Sequence, residues 1–223
     1  MAIGTYAQLQ STIADFLNRD DLSVVIPSFI DLAEAQINRE VRHWKMQAEI
    51  NLTTPLGKAT LPADWLYTIE VNQIDTDTGV FKRNLKQFSD SEYSDTRYNT
   101  NDASGDPIGF RHSLDKIEIL PNSGTQRIAL RYVQKIPALT DTATTNWLLT
   151  DHPDVYLYGA LLHAAPYLVE DARIQVWAQL YGAAVQNVNA DSDKAKTSSS
   201  TLTMRNVGMN TGAYRTKHYQ FRG

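Results

Sequence analysis

The stretch Trp147-Leu148-Leu149-Thr150-Asp151-His152-Pro153-Asp154-Val155-Tyr156-Leu157-Tyr158-Gly159-Ala160-Leu161-Leu162-His163-Ala164-Ala165-Pro166-Tyr167-Leu168 decides how the chain is built. Pro153 suits the first turn of a helix, where its missing N–H would have no partner, and Thr150 and Asp151 stand where they would cap the free amides. Val155, Tyr158, Leu161, Leu162, Ala165 and Leu168 recur at three and four residues and draw one apolar stripe. Glu170-Asp171 reads as a corner, and a second stripe follows at Ile174, Trp177, Tyr181, Ala184, Val185 and Val188, beyond which the pattern dissolves. Two such stripes bury each other most simply as a hairpin of helices. Pro166 removes the bond to the Leu162 carbonyl and predicts a kinked helix, a functional curve in one reading and a chance bend in the plain one.

Outward from this hairpin, the N-terminal segment repeats the helical period. Thr5 and Gln8 match a capping box, with Leu9, Ile13, Phe16 and Leu17 behind them, so a helix is predicted over about 5–18. Pro27 opens a second, with the stripe Phe29, Ala33, Ile37, Val41 and Trp44, ending near Lys45, where Arg39, Arg42 and Lys45 suit the helix dipole. From Gln47 the period drops to two. Ile50 and Leu52, then Ile69, Val71 and Ile74, alternate with polar neighbours; Val80-Phe81 starts a strand that fades near Phe88; and 108–114, 117–120 and 128–133 read as three more. Residues 89–106, rich in Ser, Asp, Asn and Thr, predict a long surface loop.

The expected fold is therefore α+β: a helical bundle domain of two helix pairs, from 1–46 and 138–193, with an antiparallel β domain inserted at 47–137. The predicted helical core contains Phe29, Ile37, Val41, Leu161, Leu162, Trp177 and Tyr181. Residues 194–223 form a flexible C-terminal arm, since the Thr197-Ser198-Ser199-Ser200-Thr201 spacer and the aperiodic segment behind it cannot bury a core.

Charge divides the chain along the same line. The net charge is −4, but no acid follows Asp193, and Lys194, Lys196, Arg205, Arg215, Lys217 and Arg222 give the arm +6. The body is left with 15 basic against 25 acidic residues. Cysteine is absent, which excludes disulfides, thiolate metal sites and cysteine nucleophiles and fits a reducing compartment. No signal peptide is read at the N-terminus. The longest apolar run, about 155–169, is shorter than the roughly 20 residues of a membrane helix, so a soluble protein is expected.

The catalytic motifs are thin. His152-Pro153-Asp154 is the tripeptide of J-domain cochaperones, but the segment before it has no basic face, and a proline-containing helix start explains it. His152, Asp154, His163, Glu170 and Asp171 are of metal-ligand type, yet His152 and His163 would stand roughly 16 Å apart along a helix at 1.5 Å per residue. Asp64, Glu70, Asp75 and Asp77 are ordinary acids of strands and turns. No GxSxG, GxxxxGK[ST] or GxGxxG occurs, so neither a cofactor nor an enzyme activity is expected. The basic arm, dotted with Tyr214, Tyr219 and Phe221, could bind nucleic acid, and a DNA-binding protein is the alternative function; an acidic body argues instead for an acidic protein partner.

Leu61-Pro62-Ala63-Asp64-Trp65, then Asp106-Pro107-Ile108-Gly109-Phe110 with Ile117-Glu118-Ile119-Leu120-Pro121, then Leu157-Tyr158-Gly159-Ala160-Leu161 with Ala164-Ala165-Pro166-Tyr167-Leu168, come in an order that resembles bacteriophage head-to-tail adaptor proteins, the portal-docking connectors that include tail tubular protein A. The resemblance runs to about Asp193. It implies a structural virion protein, made in the host bacterial cytoplasm and placed at the head-tail junction. By the same resemblance its partners are the portal protein, tail or nozzle proteins and further copies of itself in a ring, twelve to match the portal. DNA would pass through the channel during ejection without sequence-specific binding, and no membrane is involved. The arm, with Arg205, Tyr214, Arg215, Lys217, Tyr219, Phe221 and Arg222, would then bind the portal or a neighbouring copy.

Overall fold

In the computed structural model, which describes residues 3–100, 105–121, 124–168 and 173–197, the chain is α+β with six helices and two sheets among the described residues. Thr5 opens α1 (Tyr6–Leu17): its hydroxyl accepts the Gln8 N–H, and the Gln8 side chain reaches back to the Gly4 N–H. Asn18, in the left-handed region at φ 52°, closes it and donates its N–H to the Ala14 and Asp15 carbonyls. Next comes α2 (Ile26–Glu40), with Pro27 in its first turn.

The strands follow as β1 (Gln47–Pro55), β2 (Lys58–Thr60), β3 (Trp65–Ile74), β4 (Phe81–Asn84) and β5 (Lys86–Gln87). Helix α3 (Asp90–Thr100) precedes β6 (Gly109–Ser113), β7 (Lys116–Leu120) and β8 (Thr125–Gln134). The chain returns to helix as α4 (Trp147–Asp151), α5 (Pro153–Ala164) and α6 (Ile174–Thr197).

One buried cluster joins residues from both flanks of the strands. It includes Leu9, Ile13, Phe29, Ile37, Val41, Leu161, Trp177 and Tyr181, with Leu162 packed partly buried against it. Helix α5 is its axis, touching α1, α2 and α6. Tyr156, Leu157, Ala160, Leu161 and Ala164 are all buried, so α5 is covered around most of its circumference and has no single stripe. At Gly159 the approach is closest: an added Cβ would meet Ala33 and Tyr181 at 3.2 Å. Each fully buried Leu, Ile or Phe here contributes about 1.5–3 kcal/mol through area removed from water.

The strands form two four-stranded sheets, ordered β1-β8-β3-β4 and β2-β7-β6-β5. Val71, Phe110, Ile117, Ile119, Ile128 and Leu130 make a second, smaller core between them. The insertion was expected to be antiparallel, but β5 and β6 pair in parallel, Lys86 beside Gly109, because the chain makes the α3 excursion between them.

Other expectations need correction. Residues 89–106 are not all loop. The Ser89 hydroxyl accepts the Glu92 N–H to start α3, and Tyr93 anchors it beside Phe88 and Leu120, with Arg111 4.0 Å over its ring. A helix held by one aromatic has no stripe to read. The second helix stops at Glu40, not near Lys45, since Val41 is extended, and Arg42 folds back to donate to the Arg39 and Val41 carbonyls (2.6 and 2.7 Å). Thr150 and Asp151 do not cap α5: they belong to α4, which Asn146 caps by accepting the Leu149 N–H. Nor does Pro166 kink a helix. The α-helix ends at Ala164, and a tight 3₁₀ turn over Ala165–Leu168 needs no bond from Pro166 to the Leu162 carbonyl. Helix α6 runs on past Val188 to Thr197. Glu170, Asp171 and the arm residues Arg205, Tyr214, Arg215, Lys217, Tyr219, Phe221 and Arg222 lie outside the described residues.

Candidate interaction surfaces

The last turns of α6 are stitched to the connection between α2 and β1. The Asn189 side-chain carbonyl accepts the Arg42 N–H (2.7 Å), its amide donates to the Glu40 carbonyl (3.3 Å), and the fully buried Ser192 hydroxyl accepts the Trp44 N–H (3.0 Å). These bonds hold the end of α6, and so the point from which the arm continues, against an aromatic platform.

The platform stacks His43 on Trp147, ring centroids 4.8 Å apart, with Trp44 5.6 Å from His43. The Lys45 ammonium lies 5.8 Å from the Trp44 ring and 5.7 Å from the Trp147 ring and pairs with Asp151 at 2.5 Å. Burial, then the Lys45 and His152 charges, push His43 below the usual histidine range, so its imidazole stays neutral near pH 7. Trp44 remains 45% exposed. Trp44 was expected on the stripe of the second helix; the extended residues 41–43 rotate it off that face.

A second apolar surface gathers at the opposite end of the helices. Phe16, Tyr167, Val176 and Leu180 are 40–54% exposed there. Arg173 ties this end together by donating to the Phe16 carbonyl (3.2 Å) and covering the Trp177 ring at 4.8 Å, while Phe29 meets Tyr167 edge-on at 5.7 Å.

Between helices and sheets runs the seam formed by residues 135–139. Asn38 accepts the Ile136 N–H and Glu34 accepts the Leu139 N–H, both at 2.8 Å, docking the linker along α2. Burial raises the Glu34 carboxyl to about 7, against the opposing pull of the Leu139 hydrogen bond. Glu34 lines a shallow hollow with Asp64, and two carboxylates could suggest hydrolysis. Each already accepts a bond from its own chain, Asp64 from the Tyr132 hydroxyl (3.1 Å), so the pair is structural. Sequence reasoning missed Glu34. The signal was its place four residues after Ile30 and three before Ile37, a carboxylate on the inner stripe of α2.

The other candidate residues stay apart. Asp75 accepts the Asp77 and Thr78 N–H groups and the Thr78 hydroxyl, and with Lys82 these bonds hold its carboxyl far below the usual range: it organises a turn. Glu70 pairs with Arg131 at 4.0 Å. His152 precedes α5 without a side-chain capping bond. Among the described residues no three His, Cys, Asp or Glu converge as a metal site, and no helix is long and apolar enough to cross a membrane.

The chain's order of parts has a counterpart among known families: the model of the SU10 adaptor protein matches residues 4–205. A comparison with curated proteins finds no match.

Proposed function

The chain belongs to the SU10 adaptor protein family, a phage head-to-tail adaptor family, and on that premise we propose that its copies form a ring below the portal, join capsid to tail and line the DNA channel. The family match across residues 4–205 carries the proposal. In this reading 1–46 and 138–193 act as one helical domain of two helix pairs, 47–137 is its insertion, and 194–223 is an arm reaching the portal or a neighbouring copy. The presence of two main cores supports the division, although Val133 and Ile136 of the insertion join the helical one. The charge split supports the roles: an acidic wall repels phosphate and lets DNA slide, while a +6 arm seeks acidic protein. Arg205, Arg215, Lys217 and Arg222 then face acidic groups, and Tyr214, Tyr219 and Phe221 enter apolar pockets. Twelve copies would match the portal, and tail or nozzle proteins would meet the ring's far side. No reaction is assigned to it.

Truncation after Thr197, which keeps the whole of α6 and its bonds through Ser192, tests the arm. The truncated chain is expected to keep its circular dichroism spectrum and lose co-sedimentation with portal-bearing heads. Equal binding by truncated and full-length chains would move the portal contact onto the body. Binding of the full-length chain to bare duplex DNA, falling steeply with salt, would favour the DNA-binding alternative.

A further inference from the structure

Sheet β1-β8-β3-β4 has two open edges, and they are unlike. The other sheet ends on strands of three and two residues, β2 and β5, which is one way proteins blunt an edge. Strand β1 is nine residues long and pairs only with β8, along its full length from Gln47 to Pro55. Among the described residues nothing hydrogen-bonds to its outer edge, and Glu49, Ile50 and Asn51 are exposed in its middle. On the far side β4 pairs only with β3, and all four of its residues are exposed, Phe81 by 60%. A long unprotected edge is an invitation to pair with another chain.

Building on the ring reading above, we propose that β4 of one copy adds to the β1 edge of the next, so that one antiparallel sheet continues from subunit to subunit. Three observations choose a second copy as the occupant. A ring needs two different, complementary surfaces on opposite sides of each protomer, and β1 and β4 are the opposite edges of one sheet. Strand direction fits: β1 and β3 both run antiparallel to β8, and β4 runs antiparallel to β3, so an incoming β4 beside β1 keeps the alternation unbroken. Charge fits too. Glu49, Arg131 and Glu70 lie side by side across β1, β8 and β3, alternating in sign, and the next place beyond Glu49 calls for a cation. The β4 edge supplies Lys82, whose ammonium also pairs with Asp75 at 3.0 Å; Arg83, opposite Gln73, lies on the other face and pairs with Asp106.

The absence of cysteine makes the test clean. Cysteines are placed in pairs in the full-length chain, at Gln47, Glu49 or Asn51 on one edge and at Lys82 or Asn84 on the other. A control pair sits at the exposed Tyr98 and Leu114. Mass photometry of the unmodified chain, alone and after mixing with portal-bearing heads, first establishes whether copies assemble. A chain that stays monomeric in both settings overturns the ring reading and this inference with it. If copies assemble, at least one edge pair is expected to give a ladder of disulfide-linked multimers under mild oxidation, at several times the yield of the control. Assembly with no edge pair exceeding the control overturns the shared sheet and leaves the ring standing. As an independent readout, Glu49→Lys is expected to raise the concentration for half-assembly about tenfold, and adding Lys82→Glu to the same chain to restore it.

Discussion

Helix α5 is buried around most of its girth by α1, α2 and α6, which keep exposed apolar residues only away from it, whereas strands β1, β3 and β4 leave Ile50, Tyr67, Ile69 and Phe81 between 39 and 60% exposed. Both regions belong to one short chain, so the contrast is one of architecture. A central helix with three neighbours can be covered by its own chain. A pair of four-stranded sheets around a handful of buried residues has more face and edge than it can cover. Under the ring proposed above, the exposed strand faces and edges are where neighbouring copies would complete the sheets.

The largest expected effect tests the first half of that contrast. Trp177→Ala empties a site that is 5% exposed and packed in the helical core, and is expected to cost about 3–5 kcal/mol in urea unfolding followed by circular dichroism. A cost near zero would mean that α6 can detach without loss, leaving the helices no more self-sufficient than the sheets.

Next in size is the seam between the regions. Glu34 titrates near 7 in the folded protein against an ordinary value of 4.5. Its raised value means the native state holds the proton more tightly. The associated stability is therefore complete below about pH 4.5 and is lost as pH rises through 7, on the order of 3 kcal/mol in all. Glu34→Gln keeps an acceptor for the Leu139 N–H and removes the charge. The variant is expected to gain stability over the parent at pH 8 and to match it near pH 4.5, read as the difference in urea midpoints. A difference that does not change with pH would show that the seam is open to water and the regions are loosely joined.

Gly109 sharpens the contrast from the sheet side. An added Cβ would lie 2.4 Å from the Phe88 ring and 2.7 Å from the Lys86 carbonyl, the latter being backbone of the parallel neighbour β5. Gly109→Ala is expected to cost about 1–3 kcal/mol, because the strand pair must separate to admit it. Gly159→Ala, against side chains at 3.2 Å and with the helix propensity of Ala in its favour, should cost less. A reversed order in thermal melts would mean that the sheet edge yields more easily than the helical crossing.

Legibility followed the same division. The helical period survives wherever a helix buries a face on its own chain, so Leu9, Ile13, Phe29, Ile37 and Trp177 could be read from spacing alone. It failed at α3, which rests on Tyr93 and on Arg111 from a strand distant in sequence, and at β2 and β5, too short for a period of two to appear. The platform of His43, Trp44, Lys45 and Trp147 was hidden because its members are brought together from segments a hundred residues apart.

The smallest effect concerns two leucines that no folding argument explains. Leu56 and Leu114 sit in turns with positive φ, 51° and 56°, and are 72 and 98% exposed. A branched apolar residue in the left-handed region costs roughly 1–2 kcal/mol, and Asn tolerates that conformation better because its side chain can bond locally. Leu56→Asn and Leu114→Asn are therefore each expected to stabilise the isolated chain by about 1 kcal/mol in thermal melts. The same changes remove apolar tips from the region with most surface left uncovered, so the double variant is expected to assemble more weakly although its monomer is more stable. If the variants gain stability and assemble as well as the parent, the tips are not contacts, and completion of the β region by neighbours would rest on its edges alone.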